Sequence, residues 1–126
     1  ETASPAKVAA LRALPVELIQ HGAPVEGTLT IHEVTAMQGS RLAAVTKSGP
    51  LAAASHHHQG IDRLGDGLAA TGRTEDGLIE ATERIVPDQQ DPRATWMVGV
   101  QWHPENFYRT GEFRSLFEEF VAACRI

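Results

Sequence analysis

The sequence holds a single cysteine, Cys124, so it closes no disulfide within itself, and no Cys/His spacing resembles a zinc knuckle. It has no apolar run near the roughly 18–20 residues that span a bilayer, and its amino end lacks a positive segment followed by an apolar one. A membrane span and a visible targeting segment are thereby excluded from the reading, and a reducing, cytoplasmic setting is the expectation. Positive charge is scarce: 11 Lys and Arg stand against 16 Asp and Glu, a formal charge of -5. The arginines are scattered, which disfavours a nucleic-acid surface, because counterion release needs a basic cluster. Internal repeats and low-complexity linkers are also lacking. What remains, 42% apolar and 21% charged residues in 126, fits one modest globular domain.

The organisation is read from periodicity and turn chemistry. Residues 1–27 are an irregular or partly helical lead-in, with Val8, Leu11 and Leu14 at helical spacing before Pro15 and Gly22-Ala23-Pro24 interrupt it. Residues 28–126 form the rest. Thr28 to Met37 reads as a strand, and Ser40 is placed to cap a helical turn through Val45. Leu68–Thr71 and Leu78–Glu83 are short strands joined by a hairpin at Asp76-Gly77, while Gly65-Asp66-Gly67 is a tight turn rather than a phosphate cradle. Trp96 to Trp102 is nearly continuous in apolar character, which predicts a strand covered on both faces. Pro87 and Pro92 make the preceding segment a loop. Phe113, Leu116, Phe117, Phe120, Val121 and Cys124 recur every three or four residues, the stripe of an amphipathic terminal helix that packs on the sheet. Cys124 beside that stripe reads as a structural thiol, since a reactive one needs exposure and a group that stabilises thiolate.

Two clusters could carry chemistry. His103 and Glu105 follow the apolar strand, separated by Pro104, and two extended residues span only about 7 Å. Glu105 can therefore reach back to one imidazole nitrogen and leave the other for a thiol or a leaving group, which is two parts of a nucleophilic triad. A histidine after a strand also serves as a structural cap or turn group. The second cluster is Ser55-His56-His57-His58-Gln59. In extended chain His56 and His58 point one way and His57 the other, so a three-histidine zinc site is disfavoured and no metal is expected. Substrate hydrogen bonding by one or two members competes there with structural polar packing. His32, isolated in a strand, is read as structural, with direct chemistry the lesser alternative.

The segments His32-Glu33-Val34, Ser55 with His57-His58-Gln59, Leu64-Gly65-Asp66-Gly67-Leu68, Asp76-Gly77-Leu78-Ile79-Glu80-Ala81, and Gly99-Val100-Gln101-Trp102-His103-Pro104-Glu105 together resemble the carboxyl-terminal half of a class I glutamine-amidotransferase-like hydrolase. The group of closest resemblance is the gamma-glutamyl-gamma-aminobutyrate hydrolases. The resemblance runs from about His32 to Ala123. It implies the carboxyl-terminal half of a doubly wound α/β domain and a Cys-His-Glu triad, with His103 as its histidine and Glu105 as the orienting carboxylate. Ser55, His57, His58 and Gln59 would bind substrate or lie behind residues that do, and His56 occupies a more variable, peripheral position. The family's cysteine sits in a glycine-flanked turn after an upstream strand, and no such motif occurs here. The implied partner is therefore an upstream nucleophile-bearing half of the same protein. The implied substrate is a small gamma-glutamyl amide, hydrolysed without cofactor; a homo-oligomer is left open. Two other readings stand beside it: a glutaminase domain delivering ammonia to a synthetase, and a noncatalytic binding or regulatory relative.

Overall fold

Alternation decides the first strand. In β1, Thr30–Ala36, His32 and Val34 turn inward while Ile31, Glu33 and Thr35 face out, the two-residue period of a sheet covered on one face. The computed structural model describes residues 21–22, 30–46, 49–85, 96–107, 109 and 113–125. The lead-in expected over residues 1–27 thus lies outside the described residues, except for His21 and Gly22. After β1 come α1, Arg41–Thr46; β2, Pro50–Ser55; β3, Leu68–Arg73; β4, Ile79–Arg84; β5, Val98–Val100; a 3-10 turn, Pro104–Asn106; and α2, Arg114–Ala123. This is a mixed α/β fold.

The five strands form one sheet in the order β2-β1-β3-β4-β5, with every described pairing antiparallel. In the β1–β2 register, His32 lies opposite Ala53 and Val34 opposite Leu51, so the inner faces of both strands share one core. Beyond β5 the chain donates from Gln101 N to Glu80 O of β4 at 2.8 Å and from His103 N to Ala54 O of β2 at 2.9 Å. The sheet is curled so that the segment after one edge strand bonds the end of the other.

Two-sided burial falls on β4, not on the tryptophan-flanked segment. Ile79 through Glu83 are all buried, whereas β5 is a half-buried edge strand. An apolar run is ambiguous in this respect, because edge position removes one neighbour whatever the side chains are. The strand β2 carries Ala52-Ala53-Ala54, residues of low strand propensity, and is held by its pairing with β1. The hairpin between β3 and β4 turns at Asp76-Gly77 as expected, with Gly77 at φ 86 and Gly77 N donating to Thr74 O at 2.9 Å.

The core joins Val34, Leu42, Leu51, Ala53, Ala81, Trp102 and Phe113. In α2 only the first turn is deeply placed: Phe113 packs on Trp102, Leu116 is buried, and Ser115 Oγ donates to Val45 O of α1 at 2.6 Å. The helix therefore docks through its start on α1 and the segment after β5. Phe117, Phe120 and Val121 are about half exposed, and Cys124, contrary to its reading as a packed thiol, is exposed at the helix end.

Ser40 caps α1 as the sequence indicates, its Oγ accepting from Ala43 N at 3.0 Å. A second acceptor comes from across the sheet: the buried Glu83 carboxylate accepts from Arg41 N and Leu42 N, each at 3.0 Å. Glu83→Ala strands two amides at the start of the helix, and we expect it to cost about 2–3 kcal/mol. Urea unfolding of the full polypeptide checks this; an unchanged midpoint would mean that water replaces the carboxylate.

Candidate functional site

His103 is fixed by its neighbours before its ring is considered. Its amide is tied to Ala54 O, Trp102 before it is buried in the core, and Pro104 after it opens the 3-10 turn. That turn folds Glu105 back, and His103 Nδ1–H donates to Glu105 Oε1 at 2.6 Å. With Nδ1 carrying the proton, the neutral ring presents its lone pair at Nε2. The pair lies at the surface, the His103 side chain 35% exposed and that of Glu105 59%. An oriented imidazole with its outer nitrogen turned away from its carboxylate can take a proton from an acid and return it to a leaving group.

His56 adds to this pair. Its ring stacks on that of His103 at 3.9 Å between centroids and 17° between planes. His56, which the resemblance implied to be peripheral, thus lies against the His103 ring, because β2 ends beside His103. The alternation foreseen for the histidine run does separate its first two members, since His57 turns away from His56 into the interior of the sheet.

There His57 meets His21, His32 and Glu80. Glu80 Oε1 lies 3.1 Å from His57 Nε2, 3.2 Å from His21 Nδ1 and 3.5 Å from His32 Nε2. Glu80 is fully buried, and one ligating atom from each of the four residues lies within 4.8 Å of the others. The outer nitrogens are also engaged. His57 Nδ1–H donates to Gln59 O at 2.7 Å, and His21 Nε2–H donates to Asp76 Oδ2 at 2.9 Å. His32 has no hydrogen-bond partner on either nitrogen, and Glu80 Oε2 has none.

The remaining predicted residues divide. Ser55 is buried at the end of β2, where its Oγ donates to His21 O at 2.6 Å, so it holds the main chain beside the cluster. Gln59 is exposed and contributes its carbonyl; His58 is exposed and lies outside the four-residue group. Sequence reasoning missed His21, Asp76 and Glu80 as a set, and took His32 as structural. The available signal was Glu80 itself, an acid between Ile79 and Ala81 in a strand that reads as buried, where a carboxylate demands polar company.

Burial and neighbours shift the acids and bases. Desolvation, followed by the positive charges that His21 and His57 would carry, lowers His32 to about 4, against a smaller opposing pull from Asp76. Desolvation raises Glu80 above the ordinary carboxylate range, opposed by His57 and His21. The hydrogen bond from His103 lowers Glu105. A depressed carboxyl adds stability above its unfolded pKa and loses it as pH falls through the folded one. We expect carbon-13 titration to show Glu105 still ionised where ordinary glutamates are half protonated, and His103→Gln to abolish the shift. An ordinary Glu105 midpoint in the unsubstituted protein would refute the bond.

Residues 10–105 match the family described as Peptidase C26. The chain belongs to that family. It is similar to a protein of Rickettsia prowazekii named as glutamine amidotransferase-like, with 28% identity over 109 residues, 86% of this chain and 36% of that protein. A protein of Lactococcus lactis with the same style of name is 32% identical over 99 residues, 78% of this chain and 38% of its own length. A CTP synthase of Caulobacter is 30% identical over 108 residues, 79% of this chain and 18% of the synthase. The chain thus spans less than two fifths of the length of these relatives. The glutamine-amidotransferase-like resemblance read from the motifs holds at family level, and the His/Glu groups are consistent with a hydrolase of that kind. Among the described residues no helix is long and apolar enough to cross a membrane.

Proposed function

We propose that this chain supplies the histidine and glutamate of a Cys-His-Glu hydrolase acting on small gamma-glutamyl amides, and that an upstream segment of the same polypeptide supplies the cysteine. In this reading residues 28–126 are the carboxyl-terminal portion of one glutamine-amidotransferase-like domain. The observation that carries it is the 2.6 Å bond from His103 Nδ1–H to Glu105, on a backbone locked to β2, with Nε2 left for proton transfer. The short share of each relative that the chain covers supports an upstream half, and the family membership supports the thiol chemistry.

The steps follow from that geometry. His103 Nε2 takes the thiol proton, and the thiolate attacks the gamma-carbonyl carbon. The tetrahedral adduct expels the amine, which receives the proton from His103. His103 then takes a proton from water as the water attacks the thioester, and returns it to the departing thiolate as glutamate is released. Glu105 holds the ring in the tautomer that each transfer needs. His57 and Ser55 organise the loop behind the acyl-binding face, with His58 and Gln59 exposed along it.

The test is intact-mass measurement of the full polypeptide during turnover of a gamma-glutamyl amide, quenched in acid. An adduct of one gamma-glutamyl group on the upstream half is expected. Its absence, under conditions that trap the adduct on a related enzyme, overturns the reading. The likeness to a CTP synthase favours one alternative, a glutaminase domain passing ammonia to a synthetase. Glutamine-dependent amination of a co-purifying acceptor, in place of release of a free amine, would select that alternative.

A further inference from the structure

The four-residue group around Glu80 brings three imidazole nitrogens to one carboxylate oxygen, more than a single hydrogen bond uses. His57 Nδ1–H is committed to Gln59 O and His21 Nε2–H to Asp76, so in both neutral rings the inward nitrogen carries a lone pair. His57 Nε2 lies within hydrogen-bond distance of Glu80 Oε1 at 3.1 Å, and His21 Nδ1 is 3.2 Å from the same oxygen, so with both rings neutral in these tautomers a proton or a metal ion must sit among the three atoms. His32 Nε2 stands 3.5 Å from the same oxygen with no hydrogen-bond partner. Lone pairs at such separations need a proton or a metal ion among them. A proton relieves one pair, whereas here four potential ligand atoms lie within 4.8 Å of one another.

We propose that His21 Nδ1, His32 Nε2, His57 Nε2 and Glu80 Oε1 bind a divalent transition-metal ion, zinc by preference. Bonds of about 2.0–2.1 Å in a tetrahedral site set its ligand atoms roughly 3.3 Å apart. The three contacts to Glu80 Oε1, at 3.1, 3.2 and 3.5 Å, bracket that value. The outer nitrogens are held as ligating histidines require: one by a carboxylate, Asp76, and one by a backbone carbonyl, which fixes tautomer and ring direction. Imidazole and carboxylate donors without thiolate suit zinc and leave softer ions unfavoured.

All four coordination positions are filled by protein, which makes this a closed, structural site rather than one with a place for substrate. It would tie together the segment at His21, strand β1, the chain after β2 and strand β4, and so fix the base on which His56 and His103 rest. His56 and His58, the other members of the histidine run, are not ligands; the donors come from four separate parts of the sequence.

The experiment uses the full native polypeptide carrying this chain, purified without a metal-affinity step, saturated with zinc and dialysed. Elemental analysis is expected to find about one zinc per chain in the unsubstituted protein and less than a tenth of that in His32→Gln and His57→Gln. Asp76→Asn, which leaves the four donors in place, is expected to weaken zinc binding about 10–100-fold. Because a variant could fail to fold, the unsubstituted protein is also loaded with cobalt(II), which is expected to give the visible bands of a tetrahedral ion and to lose them when zinc is added. Less than half an equivalent of zinc, octahedral cobalt bands, or full zinc retention by both histidine variants would overturn the proposal. The acyl-adduct measurement does not depend on the outcome.

Discussion

Replacing His103 by alanine in the full polypeptide is expected to lower kcat on a gamma-glutamyl amide by about 10²–10⁴-fold, the usual contribution of a positioned proton carrier. KM should change little, because the ring is placed to move protons rather than to hold the glutamyl group. The side chain is 35% exposed, so its removal opens no core void, and the thermal midpoint should stay within a degree or two. Steady-state kinetics on His103→Ala beside His103→Gln separates the roles. If either variant keeps more than a tenth of the original kcat, the proton-transfer assignment fails.

The second large effect belongs to Phe113. Its side chain is fully buried, its ring 5.7 Å from Trp102 and 6.3 Å from Phe107. Phe113→Ala removes the wedge between α2 and the segment after β5, and we expect a loss of about 3–5 kcal/mol in unfolding free energy. Phe113→Leu, which keeps much of the volume, should cost under about 2 kcal/mol. Chemical denaturation of the full polypeptide measures both. A loss below 1 kcal/mol for the alanine variant would show that α2 is held by other contacts. Since Trp102 immediately precedes His103, a loosened ring pocket should also lower activity in proportion to the fraction unfolded.

What could be read from the sequence was what is local. The His103–Glu105 pair spans two residues, and Pro104 limits how far they part, so its hydrogen bond was legible before any tertiary contact was known. Ser40 as a cap and Asp76-Gly77 as a turn were legible for the same reason. The cluster around Glu80 was not, because its members come from different parts of the sheet and only strand order brings them together. His32 looked isolated along the chain; pairing of β1 with β2 and β3 puts it beside imidazoles that follow or precede it by many residues. The strand β2 was obscured by its alanines, whose strand character is imposed by the neighbour rather than intrinsic. The apolar stripe of α2 was legible, but how much of it is covered was not: periodicity gives a direction, and the depth of burial depends on what lies opposite.

The two faces of the chain leaving β2 have a consequence for its tolerance of change. His56 lies over His103 while His57 points to Glu80, and that division depends on whether a position is odd or even along the backbone rather than on either side chain alone. Removing one residue from the end of β2, ahead of His56, would exchange the two destinations and uncouple both at once, whereas removing two would restore the sense of alternation. Length variation at this point should therefore be accepted only in steps of two, a parity rule that point substitutions would never reveal.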